Sequence, residues 1–266
     1  MTKISFLNKV ALNLSGDDSL ENNHAIASEV PVSLVYKGVS HVVMMASPCD
    51  LEDFGLGFSL SENIIDKPND LHFIDVMDSD QGVIVSMDIP DAAYKKISNK
   101  KRFLSGRTGC GLCGVESLDE AVPELRPVQA GADILPQSVY QAFETLHDYQ
   151  PLKQATGAVH AAAWCTPDGA VWGVREDVGR HNALDKLIGA MARDGKDFSD
   201  GFCLITSRCS YEMVQKAVQV GMPVLAAISA PTTLAVQMAQ DNNLTLLALT
   251  RKKRFAIFSH AGRIKI

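Results

Sequence analysis

Between residues 158 and 259, apolar runs of strand length alternate with amphipathic stretches of helical length, and this rhythm restricts the fold more than any other feature of the chain. Residues 158–165 and 170–174 are apolar runs joined by Thr166-Pro167-Asp168-Gly169, where proline presets φ and glycine permits a positive φ. A helix is predicted over 179–191, with Ala183, Leu184, Leu187, Ile188 and Met191 on one face. Strands follow at 202–206, 223–229 and 244–249, with helices at 211–220 and 232–239 between them, and 255–259 reads as an edge or crossover strand. A helix over 136–149, carrying Val139, Phe143 and Leu146 at helical spacing, precedes the series. Such an order implies a layered sheet with right-handed crossovers.

The N-terminal half has a different pattern. Up to about Ser28 the chain is polar and weakly patterned, which predicts a frayed start with a short strand. Two β-rich runs, 30–36 and 39–45, flank Lys37-Gly38 and read as a hairpin. Ser47-Pro48 is expected to cap a helix in which Leu51, Phe54 and Phe58 share a face, ending before Asp66-Lys67-Pro68. Gly55 and Gly57 weaken that helix's interior. Strands at 71–77 and 83–89 and a short helix at 91–97 complete a small α+β unit. Residues 100–114 lose all periodicity to glycines and a basic cluster and are expected to form a mobile connector. The expected organisation is therefore α+β overall, a small α+β domain over 1–128 followed by a layered α/β domain over 129–266.

At 266 residues the chain can bury a large core without disulfide staples. Hydrophobic residues make up 46% and charged residues 21%, which excludes intrinsic disorder. No apolar run reaches the ~18 residues of a membrane span, and no cleavage site follows the first 14 residues. A cytoplasmic location and no membrane partner are expected. The formal charge of −6 argues against a nucleic-acid partner. Of the six cysteines, Cys49, Cys165, Cys203 and Cys209 lie singly, mostly in apolar stretches. Cys110 and Cys113 form a C-x-x-C inside Gly106-Arg107-Thr108-Gly109-Cys110-Gly111-Leu112-Cys113-Gly114, which points to chemistry or metal binding rather than a structural bridge.

Ligands of open α/β sheets bind beyond the carboxyl ends of strands, where helix N-termini present free N–H groups. Three junctions qualify: Arg175 through Asn182, Thr206 through Glu212, and Ser229 through Thr233. Ser, Thr and Asp there also suit plain helix caps, but caps do not need Arg180 and Arg208. The order of elements resembles the cytidine deaminase fold. Its zinc chemistry requires a His or Cys, a Glu two residues on, and a later C-x-x-C. Here the chain has His181-Asn182-Ala183, then Cys209 with Glu212 in place of a second thiol, so no such site is expected. The isolated C-x-x-C is half a zinc site, and Arg102 and Arg107 favour its thiolate. A sulfur relay fits it, with redox use, metal use or an inert loop as alternatives. Arg251-Lys252-Lys253-Arg254 offers a local phosphate site, or else a solvated basic turn. His160 reads as a packed histidine.

The glycine-flanked C-x-x-C and Glu176-Asp177-Val178-Gly179-Arg180-His181-Asn182-Ala183-Leu184-Asp185-Lys186 resemble the signatures of the FdhD family, and similarity extends over nearly the whole chain. The resemblance implies a sulfur carrier that accepts sulfur from a cysteine desulfurase as a persulfide. It would pass the sulfur to the molybdenum bis(molybdopterin guanine dinucleotide) cofactor needed by apo formate dehydrogenase. It also implies a deaminase-like second domain, a homodimer, and no permanent metal. Cys110 is the expected persulfide cysteine, with Cys113 assisting. Leu249-Thr250-Arg251-Lys252-Lys253-Arg254 is the expected cofactor-binding segment, with Arg180, His181 and Arg208 beside it, and Lys253 stands where the family usually has glycine. Two other classes remain open at this point. One is a thiol–disulfide oxidoreductase cycling the pair; the other is a chaperone that binds the nucleotide cofactor without catalysis.

Overall fold

A computed structural model describes residues 5–15, 18–104, 124–129, 131–251 and 253–266. It is a mixed α+β structure with three sheets among these residues. The N-terminal residues depart most from expectation. Instead of fraying, β1 (Phe6–Ser15) and β2 (Asp18–Ala27) form a long antiparallel hairpin in continuous register from Phe6↔Ala27 to Ser15↔Asp18. Period-2 alternation is masked there by asparagines on both faces, so the sequence carries little strand signal. Phe6, Leu7, Val10, Leu20 and Ile26 remain exposed.

The second sheet has the order β4-β3-β6-β5, made by β3 (Val30–Tyr36), β4 (Val39–Ala46), β5 (Phe73–Ser79) and β6 (Gly82–Asp88). Lys37 and Gly38 both take positive φ, 50° and 77°, as a two-residue type I′ hairpin turn demands. The helix after β4, α1 (Leu51–Ser61), starts later than Ser47-Pro48 suggested. Its N-cap is Asp50, in a left-handed conformation and without a side-chain cap bond. Ser47 has another task, given below. After β6, α2 (Asp91–Leu104) leads towards the connector.

The third sheet carries six strands in the order β12-β11-β10-β9-β7-β8. They are β7 (His160–Cys165), β8 (Val171–Asp177), β9 (Phe202–Ile205), β10 (Val224–Ala227), β11 (Thr245–Arg251) and β12 (Arg254–Ser259). Strands β9, β10 and β11 are mutually parallel, β7 is antiparallel to both β9 and β8, and β12 is antiparallel to β11. Four strands, β8 to β11 without β7, therefore point their carboxyl ends to one edge. The helices are α3 (Pro136–Thr145), α4 (Pro151–Thr156), α5 (Arg180–Arg193), α6 (Tyr211–Gln219) and α7 (Thr233–Asp241).

Strands β9 and β10 are buried at every position because both sheet faces are covered. On one face Phe202, Leu204, Val224, Ala226 and Leu247 pack with Val139, Ala142 and Leu146. On the other, Cys203, Ile205, Leu225, Ala227 and Leu246 join a core continuous through α5, α6 and α1 to Val32, Leu34 and Val85 of the second sheet. The α1–α5 contact depends on glycine. A methyl on Gly57 would lie 2.7 Å from the Asp185 carbonyl carbon and the Gly189 nitrogen, and one on Gly189 would meet the Asp53 backbone. The glycines that weaken α1 as an isolated helix are what let it approach α5 backbone to backbone.

Candidate functional site

All three strand-to-helix junctions singled out in the sequence lie along the edge where β8 to β11 end. The second and third are tied to each other and to β11 by backbone bonds. Cys209 N–H donates to Ala230 O, Thr232 N–H to Cys209 O, and Leu249 N–H to Ser229 O. Arg251 extends the row by donating from Nη1 to Ile228 O (2.6 Å) and Thr250 O (2.9 Å).

Most polar members of the Glu176–Lys186 run do structural work. Glu176 accepts from Leu152 N–H and Lys153 N–H, both at 2.8 Å, and so caps α4; burial raises its pKa against those bonds. Asp177 and Lys186 form an ion pair of 2.6 Å with both side chains fully buried. Asp177 also accepts from the backbone N–H groups of Ser47 and Gly179 and from Asn182 Nδ2. Lys186 donates to Ser47 O, Asn182 to Met45 O, and Val178 N–H to the Ser47 hydroxyl. Ser47, read from sequence as a helix cap, is thus a clasp between the two large sheets. Asp185 meets Ser61 and Lys216, and Lys216 also pairs with Glu62 at 2.5 Å. These bonds satisfy the buried charges, as a dry interior requires.

Arg180 and His181 are what the run leaves for a ligand. They open α5, and His181 Nε2 lies 2.9 Å from Glu212 Oε2 in the first turn of α6. The side chains are 26% and 24% exposed. That distance makes an ion pair when the imidazole is protonated. The imidazole, helped by Arg180 and Lys216, holds the Glu212 carboxyl below its usual range in spite of partial burial. His160, at the start of β7, is pushed down by burial and by the cations Arg180, Lys153 and His181. Arg180 Nε and Ser210 Oγ are buried without a hydrogen-bond partner among the described residues, whereas His181 Nε2 is engaged by Glu212. Unpaired donors at converging helix N-termini suit an anionic guest.

The basic segment flanks this cluster. Arg251 and Arg254 are directly paired across β11 and β12, both exposed. Like charges in register repel, so an anion between them relieves the pair. Leu249 and Lys253 both take left-handed backbone, φ 57° and 55°, and Leu249 is 43% exposed. Lys253 thus adopts by strain the conformation that glycine takes freely. Thr250 is buried, its hydroxyl donating to Ala227 O. Arg208 is exposed at the end of the β9 junction. Cys110, Cys113 and Lys252 lie outside the described residues.

Sequence reading undervalued Glu212, noticed only as an obstacle to zinc, and passed over Ser210 and the electrostatic tie of His160 to Arg180. Their one signal was position in a strand-to-helix junction or beside one. Among the described residues no group of three or more His, Cys, Asp or Glu is placed to hold a metal ion. No helix among them is long and apolar enough to cross a membrane. A cavity of about 350 Å³ lies elsewhere, lined by Phe6, Cys49, Tyr149, Leu152, Val174 and Glu176 among others, and holds none of the predicted site residues.

The comparisons agree with this fold. Sulfur carrier protein FdhD of Cupriavidus necator is 49% identical over 240 residues, covering 90% of this chain and 83% of that one. Sulfur carrier protein FdhD of Bordetella petrii is 46% identical over 241 residues, covering 91% and 87%. A crystal structure of a protein from Desulfotalea psychrophila, described as a formate dehydrogenase accessory protein, superposes with a TM-score of 0.79 at 22% identity, over 98% of this chain and all of the other. Residues 27–265, all but the first 26 residues and the last, match the FdhD/NarQ family, and to that family the chain belongs.

Proposed function

We propose that this protein is a sulfur carrier for formate dehydrogenase, loaded as a persulfide on Cys110 and discharging to a molybdenum bis(molybdopterin guanine dinucleotide) guest. The relatives named sulfur carrier proteins support the carrier role. The observation that carries the guest is the single sheet edge bearing Arg180, His181, Arg208, Arg251 and Arg254 with unpaired buried donors among them. Two phosphates linking a nucleoside to a pterin need such a row of cations and free N–H groups. The segment 249–254 and the α5 turn would hold them.

In loading, the Cys110 thiolate attacks the outer sulfur of the desulfurase persulfide, and the desulfurase cysteine leaves as a thiolate. In discharge, the Cys113 thiolate attacks the inner Cys110 sulfur, releasing sulfide to the guest and leaving a Cys110–Cys113 disulfide. A cellular dithiol then reduces that disulfide. Arg107, three residues before Cys110 in the sequence, would help keep the sulfur anionic. A cytoplasmic homodimer that takes sulfur from the desulfurase and serves apo formate dehydrogenase completes the reading.

The test is incubation with a cysteine desulfurase and cysteine, followed by intact-mass analysis. A species one sulfur atom heavier is expected for wild type and absent for Cys110→Ala, which should also fail to activate formate dehydrogenase. Disulfide formation alone would favour an oxidoreductase, and activation by Cys110→Ala would favour a binding chaperone.

A further inference from the structure

Strand β7 runs against both β8 and β9, so its first residue, and not its last, lies on the edge where those strands end. That residue is His160. It pairs with Asp177 across the β7–β8 register. The next residue, Ala161, is bonded to the end of β9: its N–H donates to Thr206 Oγ1 (2.8 Å) and its carbonyl accepts from Thr206 N–H (3.0 Å). His160 is thereby pinned between the junction that carries Arg180 and His181 and the junction that carries Arg208 and Ser210. The charged groups around its half-buried imidazole are Arg180 and His181 of α5, Lys153 of α4 and Asp177 of β8. Asp177 is already taken up by Lys186 and three N–H donors, so the cations outweigh it. With burial, they hold His160 below its ordinary 6.5, and its imidazole makes no hydrogen bond to any described residue. A histidine that only filled space in the core would have such a partner.

We propose that His160 is a further anion-binding residue of this edge, neutral while the edge is empty and protonated when a phosphate docks against Arg180. This rests on the diphosphate guest proposed above. In the empty protein a further positive charge beside Arg180 and Lys153 is repelled. A phosphate on Arg180 cancels that repulsion and gives the imidazolium N–H groups an acceptor, which favours the charged form. The proton comes from solvent, and no other bond is made or broken. Because the complex then holds more protons than the free chain, the guest binds more tightly as pH falls through the neutral range, and the gain is lost as pH rises. Glu212, across from His181 on α6, is held below 4.5 and stays ionised in the free chain over that range.

The experiment is calorimetric titration of the full chain with GDP-mannose, whose diphosphate is a diester and does not itself titrate near neutrality. Runs in Pipes and in imidazole at pH 7 count protons, because the two buffers release them with different heats. Wild type should take up about half a proton or more, and its affinity should rise roughly threefold from pH 7.5 to 6.5, where a whole proton would give tenfold. His160→Gln should bind GDP-mannose with the uptake and the pH dependence lost, while His181→Gln should keep both. An imidazole NMR titration of wild type supplies a check free of any effect of substitution on folding. The His160 ring should titrate below 6.5 in the free chain and above it with GDP-mannose bound. Binding with no proton uptake, or uptake that survives in His160→Gln and vanishes in His181→Gln, overturns the inference and leaves the anion site standing. If GDP-mannose does not bind at all, the diphosphate reading falls and the inference with it.

Discussion

Replacing Gly57 with alanine tests the claim that α1 and α5 touch through their backbones. The new methyl would sit 2.7 Å from the Asp185 carbonyl carbon and the Gly189 nitrogen. It would also overlap the Asp185 carbonyl oxygen, the nearest atom it meets, and since carbon contacts settle at about 3.5–4.0 Å the helices must part by more than ~1 Å. No side chain can rotate away, because the atoms met are main chain. Overpacking of this kind costs about 1–3 kcal/mol, and the upper end applies. Alanine returns about 1 kcal/mol of helix propensity, leaving a net loss of about 2 kcal/mol. In a chain of this size that lowers Tm by roughly 4–8 °C. Thermal and urea unfolding of Gly57→Ala, Gly189→Ala and the double variant provide the measurement. Both singles should destabilise, and the double should cost less than their sum, since the first methyl has already parted the helices. Gly173, with nothing near its would-be methyl, is the control. A Gly57→Ala protein about 1 kcal/mol more stable than wild type, as at an exposed helical position, would refute the reasoning.

Lys186→Met strips the fully buried Asp177 of its cation, and should cost about 3–5 kcal/mol in chemical denaturation; recovery is expected when Asp177→Leu is added. Because Glu212 titrates below its ordinary 4.5 in the folded protein, its ionisation contributes stability that is present above pH 4.5 and lost as pH falls below that value. His181→Ala removes the main cause of the depression, so stability measured against pH should fall less steeply below 4.5 than in wild type. Lys253→Gly relieves a left-handed residue and should raise stability by about 0.5–1 kcal/mol, read as a higher urea midpoint.

Much of the fold could be read from the chain because burial patterns are local. The runs 30–36 and 39–45 appear as strands on either side of Lys37-Gly38, and the six-stranded sheet follows the predicted order of elements. Non-local facts were hidden. Ser47 looks like a cap because a sequence window cannot show Val178 and Asp177, some 130 residues away. The β1–β2 hairpin escapes because its faces bury little and carry asparagines. Gly57 reads as a weakness until Gly189 is seen opposite. At the site, charge and junction position point to Arg180, His181 and Arg208. Spacing cannot separate the acidic residues that brace the turn from the one, Glu212, that faces outward.

The clasp at Ser47 bears on how tightly a guest is held. Gly179 and Asn182, which flank Arg180 and His181, are bonded to Asp177, and Asn182 and Asp177 are bonded in turn to the β4–α1 link. The turn is therefore rigid before anything arrives, and little conformational freedom is surrendered when the anion docks. Loosening Ser47 or Asn182 should leave every cation in place yet speed dissociation, because the cradle would then have to be assembled anew at each encounter.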